Sequence, residues 1–283
     1  MLKSSVCTQK QLQSEDFRNW AARCKEPERL HRKLWEFCYI AQALEERGML
    51  QPGRRGLGFA VGREPLAALF ASYGCEIVAT DLDELSAGQA GWVTTGQHAA
   101  GLEALNQKEI CPDELFQQRV QFRVVDMNAL PEDLRGFDFI WSSCSIEHLG
   151  TIRKGQRFMV NMARCLKPGG VGVHTTEYNV SSNRETLSKG GDVLFRQKDI
   201  RRLQSVLQAC GHRLAPLDFD TGNDPADLIV DKPPYDYLPH LKLLIDRFTS
   251  TSMGLIVTAG EQPSGFARFM ARLRTREHAG CHL

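Results

Sequence analysis

Between Gly58 and Gly170, five short signals follow one another in an order that describes an open α/β sheet. They are the turn Gly58-Phe59-Ala60-Val61-Gly62-Arg63-Glu64, the acid Asp81, the pair Asp126-Met127, the triplet Glu147-His148-Leu149 and the stop Pro168-Gly169-Gly170. Each is weak alone; their order is what constrains the chain. Arg54 to Phe59 reads as a strand and Pro65 to Ala71 as a helix, with Pro at its first position and Gly74 beyond its last turn. A small-residue turn between the two lets a ligand approach the backbone, and a helix N-terminus favours negative groups.

Cys75 to Thr80 is a second strand ending in Asp81, where a carboxylate can accept from both hydroxyls of a ribose. Val120 to Val125 is a third, ending in Asp126, and Phe137 to Trp141 a fourth, leading into Ser142-Ser143-Cys144-Ser145-Ile146-Glu147-His148-Leu149. A helix through Phe158, Val160, Met162, Ala163 and Leu166 stops at Pro168-Gly169-Gly170, before the strand Val171 to Thr175. The first pieces fit an ordinary strand–helix–strand unit equally well. The full series points to an adenosine-containing cofactor gripped along the C-terminal strand edges.

This order resembles the class I S-adenosylmethionine-dependent methyltransferases over residues 54 to 260. The resemblance implies a doubly wound, Rossmann-like α/β fold: seven strands, mostly parallel with the last antiparallel, and helices on both faces. It implies S-adenosylmethionine as cofactor. Gly58, Ala60, Gly62 and Glu64 would lie under its methionine part, and Asp81 would bind the ribose. Asp126 would accept from the adenine amino group, with Met127 against the ring. Ser143 and Cys144 would close over it beside the sulfonium. Glu147-His148-Leu149 is similar to the end of the fourth strand in many small-molecule methyltransferases. One departure is clear. The usual spacing puts Ala60, Gly62 and Glu64 at three glycine positions and Gly58 where the family has an acid, a charge that Glu64 could supply instead.

A nicotinamide dehydrogenase on the same architecture needs Gly-x-Gly-x-x-Gly, and Val61 stands where the third Gly belongs. No Tyr has a Lys four positions on, and no P-loop is present.

A length of 283 residues and a formal net charge of +1 suit a soluble globular chain with no general attraction to nucleic acid or an anionic membrane. Nine scattered Cys without metal spacing fit a reducing compartment. With no spanning apolar run and no signal-peptide core, a cytoplasmic location is expected. His174 and Glu177 are near each other in sequence and could join Asp199 or His240, but no spacing is diagnostic and no metal is assigned.

Residues 1–53 read as an N-terminal helical segment or lid. Leu30, Leu34, Phe37, Cys38, Ala41 and Leu44 recur at helical spacing, with Glu28, Arg32, Lys33 and Glu36 on the other face. Residues 54–260 form the methyltransferase domain, with a substrate-side insertion at about 221–250 that includes a short helix from Leu241 to Phe248. A final strand runs Met253 to Thr258, and 261–283 form a C-terminal helix or tail with a basic face at Arg268, Arg272, Arg274 and Arg276. The long connection Leu82 to Arg119 carries Trp92, Gln97 and His98, read as cofactor or substrate contacts or as a surface loop.

The expected activity is methyl transfer to a polar small molecule, O-methylation of a sugar or glycosylated natural product. Glu177, Tyr178 and Asn179 offer substrate hydrogen bonds, and His148 with Glu147 offers the general base. An N-methyltransferase, or a non-catalytic module that binds S-adenosylmethionine, are the alternatives.

Overall fold

The computed structural model describes residues 1–261 apart from 90, 92, 93, 95, 97, 107 and 236. Its sheet is built from β1 (Arg55–Gly58), β2 (Glu76–Asp81), β3 (Val120–Val124), β4 (Phe137–Ser142), β5 (Leu166–Asn179), β6 (Val230–Asp231), β7 (Lys242–Ile245) and β8 (Phe248–Thr258). The spatial order is β3-β2-β1-β4-β5-β8-β7-β6, with the short strand Arg213–Leu214 also pairing β8. The first five strands in that order run parallel, and β8 is antiparallel to β5 over Ser250↔Asn179 to Thr258↔Val171. The doubly wound α/β architecture expected from the sequence is therefore present, extended by short strands at the β8 edge.

β4 is buried at all six positions because both faces of the sheet are covered. On one face lie α1 (Glu15–Arg23), α2 (Arg32–Glu45) and α3 (Leu66–Ser72), packed in a core with Phe139 and Trp141. On the other, α4 (Ile152–Met162) and α5 (Gln197–Ala209) pack with Phe59 and Ile140. The alternation of β4 decides which of its side chains joins which core.

Two expectations fail here. Leu241 to Phe248 is no helix: β7 pairs with β8 as a hairpin, Leu243↔Ser250 and Ile245↔Phe248, turned at Asp246 with φ +54°. Pairing along an exposed sheet edge overrides a local helical pattern this short. Nor do Arg32, Lys33 and Glu36 form a solvated face on α2. Glu36 is fully buried, and Arg32 and Lys33 reach inward to acids on the sheet and on α2 itself. The proposed C-terminal helix and its arginines lie outside the described residues, apart from Glu261.

Candidate active site

At the C-terminal ends of β1, β2 and β4, where an open parallel sheet leaves a crevice, lies a cavity of about 470 Å³. Its floor is the turn after β1. Ala60 and Gly62 take left-handed backbone conformations at φ +47° and +50°, which brings the Gly62 N–H to 3.1 Å from Asp81 Oδ2. Asp81 also accepts from Leu82 N at 2.8 Å and Ala99 N at 3.3 Å. Burial raises the Asp81 pKa, opposed by these three N–H donors. Asp126, Met127 and Asn128 line the same end, with Asp126 Oδ1 accepting from Asn128 N at 2.8 Å. His98 lines it too, its Nε2 2.9 Å from the Leu82 carbonyl. Trp92 and Gln97 lie outside the described residues.

Gly58 does not line the cavity, and the structure explains why the position is Gly. A Cβ there would meet Trp141 Cζ2 at 2.4 Å and Val61 Cγ1 at 2.5 Å. The indole occupies the room that a side chain at 58 would need. Glu64 faces the cavity instead. Its Oε2 is shielded from solvent and has no hydrogen-bond partner, and burial, opposed by the charge of Lys33, pushes its pKa up to about 8.

The rest of the lining joins nominated residues after β4 to residues of the N-terminal segment that the sequence reading did not nominate. Glu26, His31, Lys33 and Phe37 come from α2 and the chain before it, and meet Ser143, Cys144, Ser145, His148 and Leu149 after β4. Lys33 Nζ is 2.7 Å from Glu36 and 3.4 Å from Ser143 Oγ. Glu36 also accepts from Ser143 Oγ at 2.9 Å, Ser252 Oγ at 2.6 Å and Cys144 Sγ at 3.1 Å. Against the desolvation of burial, Lys33 and Arg32 hold the Glu36 carboxyl down to about 2. In the sequence these charges read only as the other face of the α2 helix.

His148 lines the cavity, with its Nδ1 2.9 Å from the Gly191 carbonyl. Burial lowers its pKa, but Asp192 and Glu147 outweigh that and the net direction is upward. Glu147 lies behind the wall, 1% exposed, its Oε2 accepting from Thr176 Oγ1 at 3.1 Å. Burial raises the Glu147 pKa to about 7.

Glu177, Tyr178 and Asn179 are not brought to the cavity. All three are buried within β5. Glu177 pairs with Arg32 and accepts from Ser250 Oγ at 2.6 Å; Tyr178 stacks on Phe219; Asn179 ties down the turn that follows, accepting from Ser181 N and Ser182 N. β5 runs on through these positions into pairing with β8, so the expected loop after Thr175 does not form. Cys144, Glu147 and Glu177 place ligand atoms within 4.8 Å of one another. The Arg32 ion pair and the Ser250 hydroxyl already occupy the two Glu177 oxygens.

Residues 57–174 match the model of a methyltransferase domain family. No curated protein matches the chain by sequence. A candidate sarcosine dimethylglycine methyltransferase from Galdieria sulphuraria is similar in fold, with TM-score 0.51 and 15% identity over 88% of this chain and 100% of that one. The CcbJ methyltransferase of Streptomyces caelestis scores 0.45 at 14% identity, covering 77% and 94%. The magnesium protoporphyrin IX methyltransferase of Synechocystis PCC 6803, solved with bound S-adenosylmethionine, scores 0.43 at 12% identity, covering 86% and 85%.

Proposed function

We propose that this chain, a class I S-adenosylmethionine-dependent methyltransferase, methylates a hydroxyl of a polar small molecule, with a sugar or glycosylated natural product as the substrate class. The observation that carries the reading is one cavity lined both by the strand-end acids Asp81 and Asp126 and by His148. Its volume lies within the range of small-molecule sites.

The residues present fit the cofactor. The lone Glu64 Oε2 suits an ammonium, with Lys33 beside it to meet the carboxylate. Asp81 and Asp126 suit the ribose hydroxyls and the adenine amino group. S-adenosylmethionine held this way supplies an electrophilic methyl group. The chain's own contribution is to hold the acceptor in line, exclude water and take up a proton. His148 is the base. Its Nδ1 faces a carbonyl and is therefore protonated, so Nε2 carries the basic lone pair.

The test is turnover to S-adenosylhomocysteine against a panel of monosaccharides, glycosides and matched amines. Methylation of hydroxyls is expected. Methylation confined to the amines would replace the oxygen reading with a nitrogen one, and no turnover with any acceptor would favour a binding module.

A further inference from the structure

The loop following Ser188 is strapped to the chain around His148. Ile152 N donates to Ser188 O at 3.4 Å, Gly190 N to Gly150 O at 3.1 Å and Val193 N to Glu147 O at 3.1 Å. The first two of these bonds form the antiparallel bridge Thr151↔Lys189. Its effect is to present two oxygens to one imidazole nitrogen: the Gly191 carbonyl at 2.9 Å and Asp192 Oδ1 at 3.0 Å from His148 Nδ1. An Nδ1 facing two acceptors carries its proton.

We propose that Asp192 is a positioning residue of this methyltransferase, forming with His148 a carboxylate–imidazole dyad that orients the ring and stabilises the imidazolium formed when an acceptor hydroxyl is deprotonated. The inference rests on the reading of His148 as the base. The proton moves from the acceptor oxygen to Nε2 as that oxygen forms its bond to the methyl carbon and the sulfonium leaves as a neutral thioether. Asp192 stays ionised throughout, its pKa lowered by the His148 hydrogen bond. Two features separate its role from that of the carbonyl. Gly191 alone is enough to choose the tautomer; only Asp192 adds a charge. The other groups acting on the pair are Glu147, buried beside the ring and itself influenced by Glu177, and Arg32, whose charge reaches Asp192.

Asp192→Asn tests this, because it keeps the shape and removes the charge. Proton NMR titration of the His148 ring, identified by its loss in His148→Gln, needs no substrate. The expected result is a His148 pKa about one unit lower in Asp192→Asn, equal to about 1.4 kcal/mol, and restored in Asp192→Glu. An unchanged titration overturns the dyad. In turnover, the acid limb of kcat/KM is expected to move down with the NMR value while plateau kcat falls about tenfold and KM holds. If the ring titration moves but the rate profile does not, the dyad exists and the base is elsewhere, which overturns the catalytic role of both residues.

Discussion

The two ends of the cavity are built on different principles. At one end, beside β2, an acid stands at the close of its strand and is held by backbone: Asp81 by Gly62, Leu82 and Ala99. At the other, around Lys33 and Ser143, the network also draws on distant partners. Ser143, which lines the cavity, meets Glu36 across 107 positions, and Glu36 is held in turn by Ser252 across 216. The first end is a property of the sheet edge and the second a property of how the N-terminal segment docks on it.

Kinetics should separate the ends most sharply. His148→Ala is expected to lose roughly 10²–10⁴ in turnover while keeping cofactor affinity and fold. Calorimetry with S-adenosylmethionine beside a rate measurement checks both halves. A rate within a few-fold of wild type would move the base away from His148 and erase the functional contrast between the ends.

Stability comes next. Glu36→Ala leaves Lys33 without its buried partner and strands three donors, at a cost of about 3–5 kcal/mol. Urea unfolding is the measurement. Because the Glu36 carboxyl is held down to about 2 in the fold, its contribution is present above the ordinary carboxylate range and lost as pH falls through it toward that value. The variant should therefore show less additional loss on acidification than wild type. Equal stability of the two proteins would mean that the end around Lys33 and Ser143 is held by apolar packing alone.

Asp81→Ala should cost about tenfold or more in cofactor affinity, from roughly 1–3 kcal/mol for a buried hydrogen-bonding carboxylate, and Asp126→Ala a similar amount. Removing Asp81 also strands the Gly62 and Ala99 N–H groups, so Asp81→Asn is the cleaner variant. Unchanged binding in both the Asp81 and Asp126 variants would remove the adenosine assignment from that end.

Legibility followed the same division. The order of strands, the acids at 81 and 126 and the turn at 60–64 were readable because each is a local pattern fixed by the period of its element. The Lys33–Glu36 network was not. A charged run on an amphipathic helix reads as a wet face until its partners, more than a hundred residues away, are known. Glu177, Tyr178 and Asn179 misled for a related reason: a polar stretch after a strand looks like a loop unless an antiparallel neighbour extends the strand. Asp192 carried no local signal, since its loop reaches His148 through backbone bonds to a segment some forty residues earlier.

Glu64 sits where the two ends meet, and it yields the smallest but most specific effect. With its pKa pushed up to about 8 by burial, it is mostly protonated at pH 7 in the cofactor-free protein. An arriving ammonium favours the ionised form, so cofactor binding should release toward one proton. Calorimetry at pH 7 in buffers of different ionisation enthalpy counts it. Release should fade above pH 8, where Glu64 is already ionised, and be absent in Glu64→Gln at every pH. The sign in stability is opposite to that of Glu36. A raised carboxyl contributes stability present below its unfolded value and lost as pH rises through about 8, so Glu64→Gln should become more stable relative to wild type across that rise. Proton release that is equal in both proteins would reduce Glu64 to an acid at the start of α3, favourable there through the helix dipole, and would leave the charge missing at Gly58 unreplaced.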